Sequence, residues 1–347
     1  MTNSYDFIVI GAGPAGSSIA RMLAKKYQVL LVDRKKLHDF KEKCCGGLLA
    51  PDAQKILAKF DISLPEEVIG GPQIFAVKVV DLETKKKQKY QRFYINMDRK
   101  KFEEYLINLA IAENVDYLDN CEFINFSDNI VTLKHNSIIK NISCHKLIAA
   151  DGASSCVRKK CSPKRVRPQD LYVSIQELLP NNHNLNHFCA FFDKSITDFY
   201  GWAIPKSNGI LFGGAFPYEN SKQRFLMMKN KVLNQNLIHG TSIIREGSII
   251  ARPMTNSDFW CGEKNIFAIG EAASFISPSS AEGFSYAFKS AEILAKLLLK
   301  DKNCSLQKYQ LKSLVIRANI YGKWFKMPLM YNKTLRNTIL NSSLGSI

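Results

Sequence analysis

The feature that most constrains the fold of this chain is a glycine-rich turn close to its N-terminus. An apolar run at residues 7–10 leads directly into Gly11-Ala12-Gly13-Pro14-Ala15-Gly16, which is followed by apolar residues at helical spacing. A second apolar run, residues 29–32, ends at Asp33. A GxGxxG turn between a buried strand and a helix, with an acidic residue about twenty positions further on, is the fingerprint of a Rossmann-type dinucleotide-binding unit. The turn therefore predicts an α/β fold with a parallel sheet and a dinucleotide site at its edge.

The residues of this turn have distinct predicted roles. Gly11 permits the tight turn, Gly13 lets the backbone approach a pyrophosphate, and Gly16 allows the helix to pack closely on the strand. The N–H groups at the start of the helix then face the phosphates, and Asp33 accepts hydrogen bonds from the adenosine ribose. The other residues predicted to bind the cofactor at this edge are Pro14, Ala15 and Arg34.

Two later segments also end an apolar strand with an acidic residue. Residues 146–150 lead into Asp151-Gly152, and residues 265–269 lead into Gly270-Glu271. Ligands of open α/β sheets bind at the carboxyl ends of the strands. Three such strand ends in one chain predict a long cofactor with two head groups.

Composition and length narrow the class of protein. The chain has 347 residues, of which 46% are hydrophobic and 23% charged, which indicates about two globular domains and excludes a disordered chain. No apolar run reaches the eighteen or so residues of a spanning helix, and the N-terminus lacks the pattern of a secretory signal. Nine cysteines without a CxxC pair, and six histidines without metal spacing, predict reduced thiols and no metal site. We expect a cytoplasmic protein.

The positive charge of the chain is unevenly distributed. The formal net charge is +17, and the segment from Lys296 onwards contains ten basic residues and a single acidic one, Asp301. A solvated basic face, an anionic membrane surface and a phosphorylated substrate all fit this charge. Nucleic acid is the weakest candidate, because no helix-turn-helix, RRM or zinc-finger pattern accompanies the basic residues.

Three motifs, in this order along the chain, resemble the FAD-dependent geranylgeranyl reductase family of the p-hydroxybenzoate hydroxylase fold. They are the GAGPAG turn, DGASSxVR from Asp151 to Arg158, and GEAASFISPSSAEG from Gly270 to Gly283. CGGLLAPDAQ (residues 45–54), DKSITDFYGW (193–202), FGGAFP (212–217) and the GEAASFIS stretch look like the bacterial CbrA-type flavoproteins of that group. The resemblance covers nearly the whole chain and implies an FAD-dependent oxidoreductase. Without a second GxGxxG turn, NAD(P)H or another electron donor is expected to bind only transiently.

The resemblance also implies which residues contact the FAD. Arg99 matches an arginine that begins a helix beside the cofactor, and the family has Gly-Asp where this chain has Gly270-Glu271. The helix expected from Phe284 onwards would point its N-terminus at the pyrimidine end of the flavin, where negative charge on the reduced ring needs stabilising. Beyond the first turn, the implied cofactor-binding residues are Cys45, Gly46, Gly47, Arg99, Asp151, Gly152, Gly270, Glu271 and Gly283.

The segments between the nucleotide motifs predict a second lobe. Residues 73–94 and 171–250 contain short strand-like runs that indicate a mainly antiparallel sheet over the flavin. The FAD-binding domain then comprises residues 1–72, 95–170 and 251–300, and residues 301–347 form a basic helical cap. Tyr200 and Trp202 lie in a segment that resembles the YxWxFP string of geranylgeranyl reductases, and the resemblance places them in the wall of an apolar tunnel.

Cys45 is the residue with the most suggestive chemistry. The segment Lys43-Cys44-Cys45-Gly46-Gly47 matches a Lys-x-Cys-Gly-Gly stretch that lies beside the flavin in the family. Reduction of an isolated double bond requires a hydride at one carbon and a proton at the other, and a thiol near the flavin could donate that proton. Two alternatives remain open: Cys45 is a small packing residue, or Cys44 and Cys45 form an oxidation-sensitive pair. The predicted catalytic residues are Cys45, Tyr200 and Trp202.

The basic, aromatic segment after residue 306 fits either a peripheral membrane contact or a helical cap over the pocket. We expect Pro328 to interrupt any single long helix there. The favoured hypothesis is reduction of carbon–carbon double bonds of a prenyl lipid or related apolar molecule, with phosphorylated compounds among the candidates. One alternative is a flavin monooxygenase or halogenase, since both share the fold and a WxIP string like Trp202–Pro205 also occurs in halogenases. The other is a redox-sensing flavoprotein attached to the inner face of the membrane without turnover.

Overall fold

The computed structural model describes residues 4–38, 44–162, 171–180, 185–240 and 244–341. In chain order the strands are β1 (Ser4–Ile10), β2 (Val29–Val32), β3 (Leu48–Leu49), β4 (Ile74–Asp81), β5 (Lys87–Asn96), β6 (Asp116–Leu118), β7 (Cys121–Ser127), β8 (Ile130–His135), β9 (Ile138–Ala149), β10 (Leu171–Leu179), β11 (Phe188–Phe192), β12 (Gly201–Lys206), β13 (Gly209–Pro217), β14 (Ile244–Ala251), β15 (Gly262–Glu263) and β16 (Ile266–Ala268). The helices are α1 (Pro14–Ala24), α2 (Pro51–Lys59), α3 (Arg99–Ala112), α4 (Cys156–Cys161), α5 (Ser221–Asn234), α6 (Phe284–Lys300), α7 (Leu306–Lys312), α8 (Leu314–Tyr331) and α9 (Lys333–Asn341).

The first sheet is built around parallel strands in the order β15-β16-β9-β1-β2-β6, with the β7-β8 hairpin joined to β9. Its central strand β1 is parallel to both β2 and β9, and Phe7, Ile8 and Val9 are fully buried. A strand buried on both faces is typical of a parallel sheet covered by helices. Helix α1 packs against α3 and α6 on this sheet. The predicted α/β class is confirmed.

The second sheet is mainly antiparallel, in the order β14-β10-β13-β12-β11-β4-β5-β3. Only β4 and β11 pair in parallel among its strands described. Helix α5 packs on β10 and β13, where Phe212, Phe225 and Met228 are buried together. The antiparallel sheet predicted for the second lobe is confirmed, and the predicted boundary at residue 170 lies outside the described residues.

The C-terminal part of the chain is helical, and the expectation that Pro328 interrupts a long helix is wrong. Pro328 lies inside α8, which continues to Tyr331. Proline lacks one backbone donor and clashes with the preceding turn, but burial of Ile316, Ile320 and Tyr331 holds the helix in place. Among the helices that the structure describes, none combines the length and apolar character needed to cross a membrane.

A buried arginine attaches the last helix to the second sheet. Nε of Arg336 lies 2.8 Å from Oδ2 of Asp81, and Nη2 lies 3.0 Å from Oε2 of Glu83. Arg336 and Asp81 are both inaccessible to solvent. A buried charge of this kind requires a partner, so α9 is fixed to the end of β4, and α8 is held beside the same sheet.

Candidate active site

A cavity of about 960 Å³ lies between the two sheets. One end is formed by the carboxyl ends of β1, β2 and β9, where the first sheet meets the glycine-rich turn. The other end is formed by side chains of β4, β5, β11 and β12, with α8 along one side. The strand ends predicted from the sequence therefore meet at one cavity.

The glycine-rich turn lines this cavity with backbone. Gly11 has φ +100°, and a Cβ atom there would lie 2.5 Å from the carbonyl oxygen of Ala150. A Cβ atom on Gly16 would collide with the carbonyl oxygen of Gly11, so close packing of α1 requires glycine. A Cβ atom on Gly13, in contrast, would have no neighbour within 4 Å. Gly13 therefore leaves open space at the N-terminus of α1, which has no capping side chain.

Asp33 is oriented by the same turn. Its Oδ2 accepts a hydrogen bond of 2.7 Å from the backbone N–H of Ala12, and its Oδ1 accepts one of 2.8 Å from Lys35. The carboxylate is thereby fixed at the end of β2, on the cavity. Arg34, Pro14 and Ala15 also line the cavity.

At the second strand end, after β9, one carboxylate oxygen of Asp151 is buried without a hydrogen-bond partner among the described residues. Oδ2 of Asp151 accepts a hydrogen bond of 3.1 Å from the N–H of Val157. Its Oδ1 is buried and has no hydrogen-bond partner in the described part of the chain, and burial raises the pKa of this carboxyl. The neighbouring Gly152 leaves open space where a Cβ atom would stand. A ligand that offers a hydroxyl group here would satisfy the orphaned oxygen.

The third strand end, after β16, has room for the long side chain of Glu271. Gly270 begins a short 3-10 turn, and its N–H donates a hydrogen bond of 2.9 Å to Ser290. Glu271 lines the cavity, and a Cβ atom on Gly283 would lie only 3.2 Å from its Oε1. The glycine at the start of α6 thus makes room for the glutamate side chain.

Cys45 lines the cavity, and a buried arginine contacts it. Nη1 of Arg99 donates to Sγ at 3.5 Å, and so does the N–H of Gly47, also at 3.5 Å. Arg99 forms an ion pair with Glu103 and lies over the ring of Phe284, 4.4 Å from its centroid. Burial acts to lower the pKa of Arg99, but the charge and hydrogen bond of Glu103, together with the charges of Cys45 and Glu271, outweigh it and the net shift is upward. The guanidinium of Arg99 therefore lies beside the sulfur of Cys45.

Cys44 has a different environment from its neighbour. It is buried, and its Sγ lies 3.0 Å from Oγ of Ser174. Both cysteines are free thiols. Lys43, which completes the motif in the sequence, lies outside the described residues.

Alternating residues of the second sheet form an apolar chamber in the same cavity. The chamber side chains on β4, β11 and β12 are Val77, Val79, Phe188, Ala190, Phe192, Trp202 and Ile204. Because neighbouring side chains of a strand point to opposite faces, this spacing of two brings one face of each strand to the cavity. Tyr200 and Trp202 both line this cavity, and their catalytic role stays a prediction.

Tyr200 and Trp202 differ in their polar contacts. The hydroxyl of Tyr200 donates a hydrogen bond of 3.1 Å to the carbonyl of Ser280, and burial raises the pKa of this tyrosine. Nε1 of Trp202 is buried and has no hydrogen-bond partner among the residues described. Tyr200 is therefore held as a neutral wall residue, and Trp202 keeps a donor available at the chamber.

Several residues of the cavity were not predicted from the sequence. On β5 they are Tyr90, Arg92 and Tyr94, on α8 Lys323 and Lys326, and before α6 Glu282. The available sequence signal for the first three was their spacing of two along one strand, which puts them on one face. Glu282 accepts hydrogen bonds of 2.9 and 2.7 Å from the N–H and hydroxyl of Ser285, while burial raises its pKa.

No cluster of three or more histidine, cysteine or acidic residues that could hold a metal ion occurs among the described residues. His183, one of the two histidines spaced four apart in the sequence, lies outside them.

The sequence was compared with known proteins. No family model matches it. Protein CbrA of Escherichia coli O6:H1 is 38% identical over 349 aligned positions, which cover 99% of this chain and 94% of that protein. The chain belongs to the CbrA family.

Solved structures show which fold this CbrA-family chain adopts. A geranylgeranyl bacteriochlorophyll reductase-like protein of Thermoplasma acidophilum superposes with a TM-score of 0.85 at 19% identity, covering 99% of this chain and 93% of that one. The myxobacterial FAD-dependent halogenase CndH superposes with a TM-score of 0.71 at 17% identity, covering 95% of this chain and 84% of that one. The fold is the p-hydroxybenzoate hydroxylase-like FAD-binding fold, which hosts flavin enzymes of more than one chemistry.

The residues of the CbrA-family cavity fit an FAD molecule. The open space at Gly13 admits a pyrophosphate beside the N-terminus of α1, and the oriented carboxylate of Asp33 faces the adjoining cavity. Further along, Oδ1 of Asp151 lacks a hydrogen-bond donor within the described residues. These features match the parts of FAD. The turn offers space for the phosphates, Asp33 offers a carboxylate to a ribose, and Asp151 offers an acceptor to a hydroxyl group.

Proposed function

We propose that this protein is an FAD-dependent oxidoreductase that reduces carbon–carbon double bonds of an apolar, prenyl-type substrate. The observation that carries the proposal is the continuity of one cavity. The dinucleotide-type strand ends, the apolar side chains of the second sheet and Cys45 all line it. Such a cavity suits a substrate that is apolar where it reacts.

The cofactor would be held by the strand ends of the first sheet. The turn from Gly11 to Gly16 and Asp33 would bind the ADP half, Asp151 and Glu271 the middle, and the N-terminus of α6 the pyrimidine end. When bound and reduced by NAD(P)H or another donor, FAD would supply the hydride for the double bond.

The chain's own residues would bind the substrate and move the proton. Cys45 holds a proton on Sγ at the chamber, and Arg99 stabilises the sulfur once that proton has been given to the substrate. The face of β11 and the side chain of Trp202 exclude water from the chamber. Tyr200, fixed to Ser280 and kept neutral by burial, acts as a wall and not as an acid.

Two other functions are distinguished from this one by a measurement on the product. The halogenase CndH shares the fold, and this chain carries Trp202-Ala203-Ile204-Pro205, so oxygen-dependent chemistry is the second candidate. A redox-sensing flavoprotein would give no product at all.

The test is a turnover assay with the FAD-loaded protein, a reductant and geranylgeranyl diphosphate or a geranylgeranylated phospholipid, with and without oxygen. We expect a product that has gained two hydrogen atoms, whether or not oxygen is present. A product that has gained oxygen or halogen, formed only in air, would contradict the proposal. So would reduction and reoxidation of the flavin with no change in either substrate.

A further inference from the structure

We infer that Arg252, Tyr331 and Tyr200 form a clamp that positions the loop at residues 277–283 against the FAD, and that the second lobe thereby sets the reduction potential of the flavin. The three side chains are positioning residues, because they act on the flavin through this loop. The inference rests on the proposed function for its cofactor and not for its substrate.

The clamp holds three consecutive backbone carbonyl groups, those of residues 278–280. Nε of Arg252 donates a hydrogen bond of 2.8 Å to the first carbonyl oxygen, the hydroxyl of Tyr331 donates to the second, and the hydroxyl of Tyr200 donates to the third at 3.1 Å. Arg252 directly follows β14, Tyr331 is the last residue of α8, and Tyr200 directly precedes β12. The loop between β16 and α6 is therefore held from the second sheet and the C-terminal helices.

Two of the three donors are themselves fixed by buried contacts. Arg252 is buried, and its Nη1 lies 2.8 Å from Oδ2 of Asp198. Its guanidinium lies 4.0 Å from the ring centroid of Phe199 and 5.9 Å from that of Tyr331. Burial raises the pKa of Tyr331 well above its ordinary value, so the hydroxyl stays protonated and donates. The clamp is thus built into the fold before a ligand binds.

The clamped loop also lines the cavity, as all of residues 279–284 do. Arg252 and Tyr331 are not among the described residues that line it. Within the loop, the N–H of Ser277 donates to the carbonyl oxygen of Glu282 at 3.0 Å, and the N–H of Ala281 donates to that of Ser277 at 3.0 Å. Because these bonds close the loop on itself, a displacement at residues 278–280 is passed on to the start of α6.

The position of this helix end affects the two redox states of a flavin unequally. Gly283 is the N-cap of α6 and provides no capping side chain. The N-terminus of a helix stabilises negative charge, and the effect falls off within one turn. Reduced flavin carries more negative charge than oxidised flavin. Loss of one donor from the clamp should therefore weaken the binding of reduced FAD more than that of oxidised FAD.

The test compares the midpoint potential of bound FAD in two tyrosine variants. Tyr331→Phe removes only the hydroxyl and keeps the ring beside Arg252. We expect it to bind reduced FAD about tenfold less tightly relative to oxidised FAD, which lowers the potential of this two-electron couple by about 30 mV. Tyr27→Phe is the matched control, because Tyr27 donates a hydrogen bond of 2.9 Å to the carbonyl oxygen of Leu298, near the other end of α6. Its potential should equal that of the parent protein.

A second measurement needs no flavin. Amide hydrogen exchange of the apoproteins, followed by mass spectrometry, reports how firmly the loop is held. We expect faster exchange at residues 277–283 in Tyr331→Phe than in the parent protein, and no change there in Tyr27→Phe. Unchanged exchange in Tyr331→Phe would overturn the inference even if that variant bound no FAD.

The potentials decide the inference independently. An unchanged potential in Tyr331→Phe would overturn it, and so would an equal shift in both variants, because the effect would then come from a general loosening of α6. A parent protein that bound no FAD would overturn this inference together with the proposed function. A protein that binds FAD but reduces no double bond would overturn the proposed function alone, since neither measurement involves a substrate.

Discussion

Gly11 and Gly13 belong to one turn, yet the structure places opposite constraints on a side chain at the two positions. At Gly13 an added methyl group meets no protein atom within 4 Å and would occupy the space left for a pyrophosphate. We expect Gly13→Ala to fold normally but to bind FAD at least about tenfold more weakly, a loss of roughly 1.4 kcal/mol or more. Flavin content after dialysis and thermal unfolding of the apoprotein measure the two effects separately.

Gly11→Ala is the matched comparison. The left-handed φ of +100° and the contact with Ala150 make alanine costly in the folded protein itself, by roughly 1–3 kcal/mol or more. We therefore expect a lower unfolding temperature even without flavin. Equal stability of the two variants as apoproteins would contradict this description of the turn.

Cys45 is the residue on which the proposed proton transfer depends. We expect Cys45→Ser to keep its FAD and to slow single-turnover reduction of the substrate by about a hundredfold, as for loss of a general acid. Cys161→Ser, at a half-buried thiol outside the cavity, is the control and should be unchanged. If the Cys45 variant reduced its substrate at the rate of the parent protein, the thiol would be a packing residue.

At the scale of an element, α9 depends on one buried ion pair. Arg336→Met leaves Asp81 charged and unpaired in a site without solvent access, which costs about 3–5 kcal/mol. Lys333→Met removes a partly exposed charge that lies 3.7 Å from Glu83 and should cost less than about 1 kcal/mol. Chemical denaturation of the two variants measures the difference, and similar losses would contradict the anchoring role.

The same pair predicts a dependence of stability on pH. Burial acts to raise the pKa of Asp81, but the hydrogen bond and charge of Arg336, together with the backbone N–H groups of Thr84 and Glu83, outweigh it and the pKa is lowered. The stability from this pair is complete above the unfolded carboxyl value of about 4 and is lost as the pH falls towards the lower folded value. We expect a variant with Asp81→Asn and Arg336→Met to lose less stability on acidification below about pH 4 than the parent protein.

The elements also show what could be predicted from sequence. The strand at residues 29–32 was predicted with the bounds of β2, because a fully buried strand is a continuous apolar run and the glycine-rich turn is a local signal. The place of Arg92 on the cavity wall was not predictable in the same way, because β12 and α8, which line the same cavity, are far from β5 along the chain. The contact between Cys45 and Arg99 likewise joins residues 54 positions apart, and Pro328 was tolerated because packing outweighed its local preference.

At the scale of the whole molecule, the protein carries a net charge of +17 and also exposes apolar side chains on α8. Phe325 is 81% exposed and Leu329 is 42% exposed, one turn apart and among the basic residues of the C-terminal helices. We expect the protein to sediment with anionic vesicles but not with neutral ones, and to be released in about 1 M salt, where the Debye length is about 3 Å.

The variant F325A/L329A should weaken this binding, whereas F75A/F93A, which removes two exposed rings of the second sheet, should not. Equal sedimentation with neutral vesicles, or binding that is insensitive to salt, would contradict an electrostatic contact. Binding that changes with the redox state of the flavin would favour the redox-sensing alternative.

The measurement that tests the central claim most directly is anaerobic. The bound flavin is reduced, excess reductant is removed, geranylgeranyl diphosphate is added and the visible absorbance of the flavin is followed. We predict reoxidation without oxygen, with one double bond saturated for each flavin reoxidised. A flavin that stays reduced until air is admitted would contradict the claim that this cavity delivers electrons to a carbon–carbon double bond.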